Sequence, residues 1–132
     1  MTPSVAKLEA AMYTYLQQQL GSRAKVSSTH PPAGSKTAVV VLGFVSDTAS
    51  YQARSLIEPS LQFVAYDTNY AKARQLQEQI ISIMDGFTPP TMQEQQITSY
   101  RRVTVAGVDY DENSTLYFAM AEYRFSITAI GV

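Results

Sequence analysis

The stretch Lys36-Thr37-Ala38-Val39-Val40-Val41-Leu42-Gly43-Phe44-Val45 is rich in β-branched residues and is apolar on both of its alternating faces. A strand with two apolar faces is typical of a sheet that is covered on both sides. We therefore predict a strand over residues 36–45 near the centre of a sheet. We expect a helix to cover one of its faces and a loop or a partner protein to cover the other.

A second strand is predicted over residues 55–66, after a polar connection over residues 46–54. Pro59 should break or bulge this strand, because proline cannot donate a hydrogen bond to a neighbouring strand.

Two helices are predicted, over residues 3–20 and 69–85, since apolar residues recur there at three- and four-residue steps. Thr2 is the expected N-cap of the first helix, and Asp67 or Thr68 that of the second, because these side chains can accept hydrogen bonds from free backbone N–H groups.

The last third of the chain is predicted to form a hairpin. Its strands cover residues 97–106 and 114–129, and residues 107–113 join them. Nearer the N-terminus, residues 21–35 are predicted to be a loop. The element order is then α-β-β-α-β-β within a single domain, 1–132. This order predicts a two-layer α+β fold, with an antiparallel or mixed sheet and two helices on one of its faces.

Composition excludes several kinds of site. The sequence has no cysteine and a single histidine, His30, which lies in the predicted loop directly before two prolines. Disulfides, thiolate zinc sites and cysteine nucleophiles are excluded, and a Ser-His-Asp triad would depend on His30 alone. No glycine-rich phosphate loop is present. We expect no catalytic set, no metal and no cofactor, and we expect His30 to be an exposed loop residue.

The charge balance also narrows the function. Ten basic and eleven acidic residues give a net charge of −1, so no basic excess favours binding to nucleic acid or anionic lipid. Only 16% of the residues are charged, and surfaces poor in charge often contact other proteins.

Residues 1–20 lack the apolar core of a signal peptide, and the longest apolar run, 38–42, is too short to span a bilayer.

The final strand begins with apolar residues on both of its faces. One face is expected to be ordinary core. The other carries Leu116, Phe118 and Met120 before it turns polar. These three residues are the candidate subunit interface, and we expect them to be buried under a loop or helix or between subunits.

The densest negative cluster lies in the hairpin connection, at Asp109, Asp111 and Glu112. Its D-x-D spacing resembles the start of a calcium loop, but the glycine and the distal glutamate of such a loop are missing. A solvated tip, a surface that faces a channel and a loop that contacts a partner all remain open.

Arg101 and Arg102 are adjacent on a strand, so their side chains should point to opposite faces as scattered surface charge.

Four features carry a resemblance to a known family. They are a helix that ends in Gly21-Ser22-Arg23 before a Pro31-Pro32 loop, the apolar strand 38–43, the strand-to-helix passage 61–73, and an acidic hairpin around Asp111 whose strand ends Tyr123-Arg124-Phe125-Ser126-Ile127. In the order of these elements, over nearly its whole length, the chain resembles the tail terminator, or tail completion, proteins of long-tailed bacteriophages.

The resemblance implies a virion structural protein and no enzyme. It implies a homo-oligomeric ring, usually a hexamer, at the head-proximal end of the tail tube, assembled in the host cytoplasm. Such a ring ends tube polymerisation and offers the surface on which the head docks. The implied partners are other copies of the chain, the tail tube protein, the head–tail connector protein, and DNA that passes through the lumen without sequence-specific binding. No membrane partner is implied.

Three other functions remain open from the sequence. A head–tail connector or adaptor protein of the neck belongs to the same structural class. A small cytoplasmic ligand-binding domain, acting as a dimer, and an enzyme that uses carboxylates alone belong to other classes. Ring formation distinguishes the assembly functions from ligand binding, and the position on the virion distinguishes a terminator from an adaptor.

Overall fold

The computed structural model describes residues 3–28, 31, 34, 36–45, 56–89, 92 and 94–129. In them, two helices and a mixed seven-stranded sheet form an α+β fold, as predicted. The helices are α1 (Val5–Leu20) and α2 (Tyr70–Asp85). The strands are β1 (Lys25–Ser27), β2 (Thr37–Val45), β3 (Leu56–Ile57), β4 (Pro59–Asp67), β5 (Gln95–Val105), β6 (Asp109–Asp111) and β7 (Leu116–Ala129). His30 and the predicted connection 46–54 lie outside the described residues.

The apolar stretch 36–45 forms β2, which confirms the predicted strand. β2 pairs antiparallel with β4 along its whole length, and β4 pairs antiparallel with β7. The predicted break at Pro59 is also present, because only Glu58 separates β3 from β4 and both pair with β7 in one continuous register. Residues 56–67 therefore act as one strand with a single interruption.

The other edge of β7 pairs with β5 and then with β6. The β5–β7 register shifts by one residue after Ile97 and again after Arg102, so Thr98 and Val103 are extra residues on β5. Such bulges bend and twist the strand that carries them. The predicted hairpin is present, but its connection, predicted as residues 107–113, contains the short strand β6.

The predicted loop 21–35 also contains a strand, so this prediction was wrong in part. β1 pairs parallel with the start of β2. It is fastened by Gln17 of α1, whose Oε1 accepts a hydrogen bond from Val26 N (3.0 Å) and whose Nε2 donates to Ala24 O (3.2 Å). A helix side chain thus forms hydrogen bonds with the backbone of this three-residue strand. The strand is too short for its sequence to show a periodic pattern.

The N-cap of α1 is Ser4 and not the predicted Thr2. Its Oγ accepts a hydrogen bond from Lys7 N at 3.3 Å. At the other end Gly21 has a φ of 58°, and its N–H donates to Gln17 O. This left-handed conformation suits glycine and ends the helix.

The N-cap of α2 is Asn69, one residue after the two predicted candidates, Asp67 and Thr68. Its Oδ1 accepts hydrogen bonds from the backbone N–H groups of Ala71 (2.9 Å) and Lys72 (3.2 Å). Asp67 has a neighbouring role, because its Oδ1 accepts a hydrogen bond from Asn69 N at 3.1 Å. The helix therefore begins where a side-chain oxygen can reach two free donors.

Residues of both helices and of the sheet form one hydrophobic cluster. It includes Leu8, Met12, Leu16, Leu20, Leu76, Ile80 and Met84 of the helices and Val39, Val41, Leu61, Phe63, Ala65, Ala121, Tyr123, Phe125 and Ile127 of the long strands. The strand residues in this list alternate along each strand, so they share one side of the sheet. We call this side the helix face.

The opposite side of the sheet, here called the outer face, carries the alternate residues of the same strands. Val40, Val64 and Met120 are partners across β2, β4 and β7 on this face. Val40 and Val64 are 1% and 6% exposed. The outer face is therefore partly apolar, as the two apolar faces of the 36–45 stretch predicted.

Candidate functional site

The outer face changes character along β7. The β7 residues on this face are, in order, Leu116, Phe118, Met120, Glu122, Arg124 and Ser126. The predicted apolar residues come first and charged residues follow.

Two of the three predicted interface residues are accessible. Phe118 and Met120 are half-buried, whereas Leu116 is 4% exposed within the single chain. The rings of Phe118 and Tyr66 pack with their centroids 5.9 Å apart. Phe118 and Met120 can therefore contact a partner, while Leu116 already lies inside the fold. Their role between subunits stays a prediction.

The structure brings the predicted acidic residues next to the predicted apolar ones. Asp109 is the β6 partner of Phe118, and Asp111 is the partner of Leu116. Partners on neighbouring strands share a face, so these carboxylates flank the apolar residues of the outer face. Glu112 follows in the turn after β6. We call Asp109, Asp111 and Glu112 the acidic tip.

Hydrogen bonds fix the shape of the acidic tip. Asp111 Oδ1 accepts from Asn113 N at 3.0 Å, and its Oδ2 accepts from Ser114 Oγ at 2.9 Å. Both oxygens of the half-buried Asp111 are thus engaged, whereas Asp109 and Glu112 are exposed. Burial, followed by the charge of Asp111, raises the pKa of Tyr66 above its ordinary value of 10.0.

The basic end of the outer face is a row across three strands. Ser60 of β4 is the partner of Arg124 of β7, and Arg124 is the partner of Arg101 of β5. Ser60 is 0% exposed, Arg124 is half-buried and Arg101 is exposed. Ser60 Oγ and Arg124 Nε are buried and have no hydrogen-bond partner in the described part of the chain. We call these three residues the basic row.

The two glutamates that flank the basic row accept hydrogen bonds from neutral side chains. Glu122 Oε1 accepts a hydrogen bond from Gln62 Nε2 at 3.2 Å, and Glu58 Oε1 accepts from Ser126 Oγ at 3.4 Å. The ion pairs found among the described residues are Lys7–Glu94 and Arg74–Glu78, so neither arginine of the row has a carboxylate partner there.

Arg102 points to the helix face, opposite to Arg101, as predicted from their adjacency. It is the partner of Tyr123 on β7. Burial raises the pKa of Tyr123 above 10.0, and the positive charge of Arg102 opposes this shift.

Three tyrosines form a cluster near the acidic tip. Tyr117 of β7 contacts Tyr110 of β6 and Tyr70 of α2, with ring centroids 4.9 and 5.9 Å apart in edge-to-face geometry. Tyr70 and Tyr110 are 56% and 45% exposed. The cluster adds a second exposed apolar area at the same end of the sheet.

A pocket of about 370 Å³ lies between α1 and the sheet edge, beyond β1. It is lined by Ala6, Glu9, Ala10, Tyr13, Thr14, Ser28 and Val41. The lining combines small apolar residues with the carboxylate of Glu9. Its size falls within the range of small-molecule sites.

The described residues contain no group of three histidine, cysteine or acidic side chains that could hold a metal ion. The buried carboxylate of Asp67 has a structural role, since its Oδ2 accepts a hydrogen bond from Thr37 Oγ1 at 2.7 Å. No helix in the described ranges is long and apolar enough to cross a membrane.

Sequence reasoning missed the basic row. Arg101 was interpreted as scattered charge, and Arg124 only marked the polar part of a strand. The sequence offers little signal for it, because the register that places Arg101 opposite Arg124 depends on the bulge at Thr98 of β5.

The fold is similar to that of a chain in the solved structure titled "Virion of native gene transfer agent (GTA) particle". The TM-score is 0.68, the sequence identity is 12%, and the match covers 94% of this chain and 96% of that chain. At this identity the likeness establishes a shared fold. No family model matches the sequence, and no curated protein matches it.

Proposed function

We propose that this chain is a structural protein of a phage-like particle and that it forms a ring at the head-proximal end of a tail tube. The observation that carries the proposal is the fold shared, over 94% of the chain, with a chain of a virion. The order of sequence elements, which resembles that of tail terminator proteins, supports the same function.

The outer face supports an assembly role. It presents the half-buried Phe118 and Met120 beside the acidic tip, with the basic row at its other end. Apolar area framed by charged groups is typical of surfaces that contact other proteins. In this proposal the chain is not an enzyme, and its partners are other copies of itself, the tube protein and the connector of the head.

The ring would stop the addition of tube subunits and present a docking surface to the filled head. A net charge of −1 suits a channel through which DNA slides without being held. The acidic tip has two possible positions in such a ring, facing the channel or contacting a neighbouring protein.

The decisive experiment removes the chain from a particle-forming strain and measures tail length by electron microscopy. Without a terminator, full heads and unjoined tails should accumulate, and the tubes should be irregular or too long. Tails of normal, uniform length with a normal end would rule out the terminator function and leave the neck adaptor, because loss of an adaptor also leaves heads and tails unjoined.

The pocket beside α1 is the observation that favours the rival function, a small ligand-binding domain. Native mass spectrometry and immunogold labelling of particles distinguish the two. A dimer that carries a bound metabolite and is absent from particles would overturn both assembly functions. A ring located on the virion would exclude the rival.

A further inference from the structure

Within the described residues, the two arginines of the basic row have no carboxylate partner. Arg101 and Arg124 face each other across the β5–β7 ladder, and like charges in directly opposite positions are destabilising. In the part of the chain that the structure describes, the completely buried hydroxyl of Ser60 beside them has no hydrogen-bond partner, and the buried Nε of Arg124 has no acceptor. Arg101 is exposed and Arg124 is half-buried, so an anionic group that approaches from solvent can reach this pair of positive charges and relieve their repulsion.

The nearby glutamates do not fill this role. Glu122 and Glu58 accept hydrogen bonds from Gln62 and Ser126, and neither forms an ion pair with Arg124. Among the described residues, then, no carboxylate pairs with the arginines of the row, and we look for the anionic group on a second molecule.

The acidic tip of the same chain cannot reach the row. Asp109 lies opposite Phe118, which precedes Arg124 by six positions on β7. At roughly 3.3 Å per residue, about 20 Å separates the two groups along the strand. Any pairing between tip and row must be between two molecules.

We propose that the acidic tip of one copy docks on the basic row of a second copy, with the exposed carboxylates of Asp109 and Glu112 pairing with the guanidinium groups of Arg101 and Arg124. The proposal rests on the self-assembly put forward above, and it identifies the surfaces that meet. The tip and the row are different surfaces, so each copy uses its tip on one neighbour and its row on the other. Such a head-to-tail contact closes into a ring or extends as a filament.

Cysteine cross-linking tests this contact directly, because the natural chain contains no cysteine. The double variant Arg101→Cys/Glu112→Cys should form a ladder of disulfide-linked oligomers under mild oxidation. The ladder should disappear on reduction. The control Gln18→Cys/Glu112→Cys places one thiol on an exposed position of α1 and should form no ladder.

The outcomes separate this proposal from the function on which it rests. A wild-type chain that assembles, combined with no ladder beyond that of the control, overturns the tip-to-row contact and leaves ring formation intact. If the wild-type chain does not assemble and the double-cysteine variant does not cross-link, even in the presence of the particle, both the tip-to-row contact and ring formation are overturned.

Charge reversal gives a second test. Arg101→Glu and Glu112→Arg should each weaken self-association roughly tenfold, and the double variant should restore it, because complementary charges then face each other again at every contact. Lys25→Glu makes the same change of charge as Arg101→Glu at an exposed position of β1 and should have no effect. Single reversals that behave like this control would overturn the proposal.

Discussion

The side chain of Gln77 on α2 donates a hydrogen bond to the backbone carbonyl oxygen of Met120 on β7, at 2.8 Å. The same Nε2 donates to Ala106 O at 2.7 Å, in the segment that leads into β6. Gln77 is 1% exposed. One buried amide thus links the helix to the strand that carries the outer face and to the segment that precedes the acidic tip.

Replacing Gln77 with methionine keeps the approximate volume and removes both hydrogen bonds. We expect the free energy of unfolding to fall by about 1–3 kcal/mol, because buried carbonyl groups lose a donor. Denaturant unfolding measures the change. Gln75→Met, on the exposed side of the same helix, should change it by less than about 0.5 kcal/mol. Equal effects at both positions would contradict the linking role of Gln77.

Gly43 leaves room for α1 to approach β2. A Cβ atom at this position would lie 2.5 Å from Glu9 Oε1 and 2.8 Å from Leu61 Cδ2, and Leu61 is fully buried. Gly43→Ala should therefore destabilise the fold by about 1–3 kcal/mol through overpacking. Adding Glu9→Ala should recover only part of this loss, since the contact with Leu61 remains. Gly107→Ala, with no neighbouring atom within 4 Å of the new Cβ, is the matched control.

Alkaline pH should weaken the fold through Tyr66. Its pKa is raised in the folded chain, so the unfolded chain loses this proton first. The contribution of Tyr66 to stability is complete below pH 10 and declines as the pH rises from 10 towards the folded-state pKa. Tyr66→Phe should reduce the loss of stability above pH 10. The titration of Tyr66 is obtained as the difference in tyrosinate absorbance between chains with and without Tyr66→Phe, and Asp111→Asn should lower its pKa only in part, because burial is the larger cause.

The accessible apolar residues of the outer face should contribute to assembly. Phe118→Ser and Met120→Gln should each shift the chain towards smaller species in sedimentation velocity experiments while the fold is retained. The control Tyr13→Ser removes an exposed aromatic residue of α1 and should leave assembly unchanged. Normal assembly of both outer-face variants would assign the subunit interface to another surface.

Ring formation and DNA retention together distinguish an acidic tip that docks on a neighbouring copy from one that faces the channel. If the tip docks on a neighbouring copy, Asp109→Lys/Glu112→Lys should impair ring formation, whereas Glu78→Lys/Asp85→Lys on α2 should not. Asp111 is left intact because its oxygens shape the turn. Intact rings of the tip variant that retain DNA in a salt-dependent manner would instead indicate that the tip faces the channel.

Local patterns were sufficient to predict the main elements of the fold. The apolar stretch of β2, the interruption at Pro59 and the two amphipathic helices are each encoded by consecutive residues. Helix N-caps were less predictable, because Ser4 and Asn69 compete with equally suitable neighbours. Local sequence cannot decide which of several capping residues a helix uses.

The basic row could not be predicted, because it depends on register. If Thr98 were paired and the register of residues 95–97 continued without a bulge, Arg101 would face Tyr123 and point to the helix face. The bulge moves it opposite Arg124 on the outer face. β1 is a similar case, since its short pairing depends on hydrogen bonds from Gln17 on another element. Both features arise from tertiary contacts that a single sequence does not display.

The bulges of β5 also have a consequence for solubility. Among the described residues, the edge of β5 away from β7 has no strand partner, and an open edge of this length can nucleate cross-β aggregation. The two extra residues divide it into in-step runs of 95–97, 99–102 and 104–105. Because each bulge bends and twists the strand, we expect this edge to pair poorly with the edge of another copy and to resist cross-β aggregation.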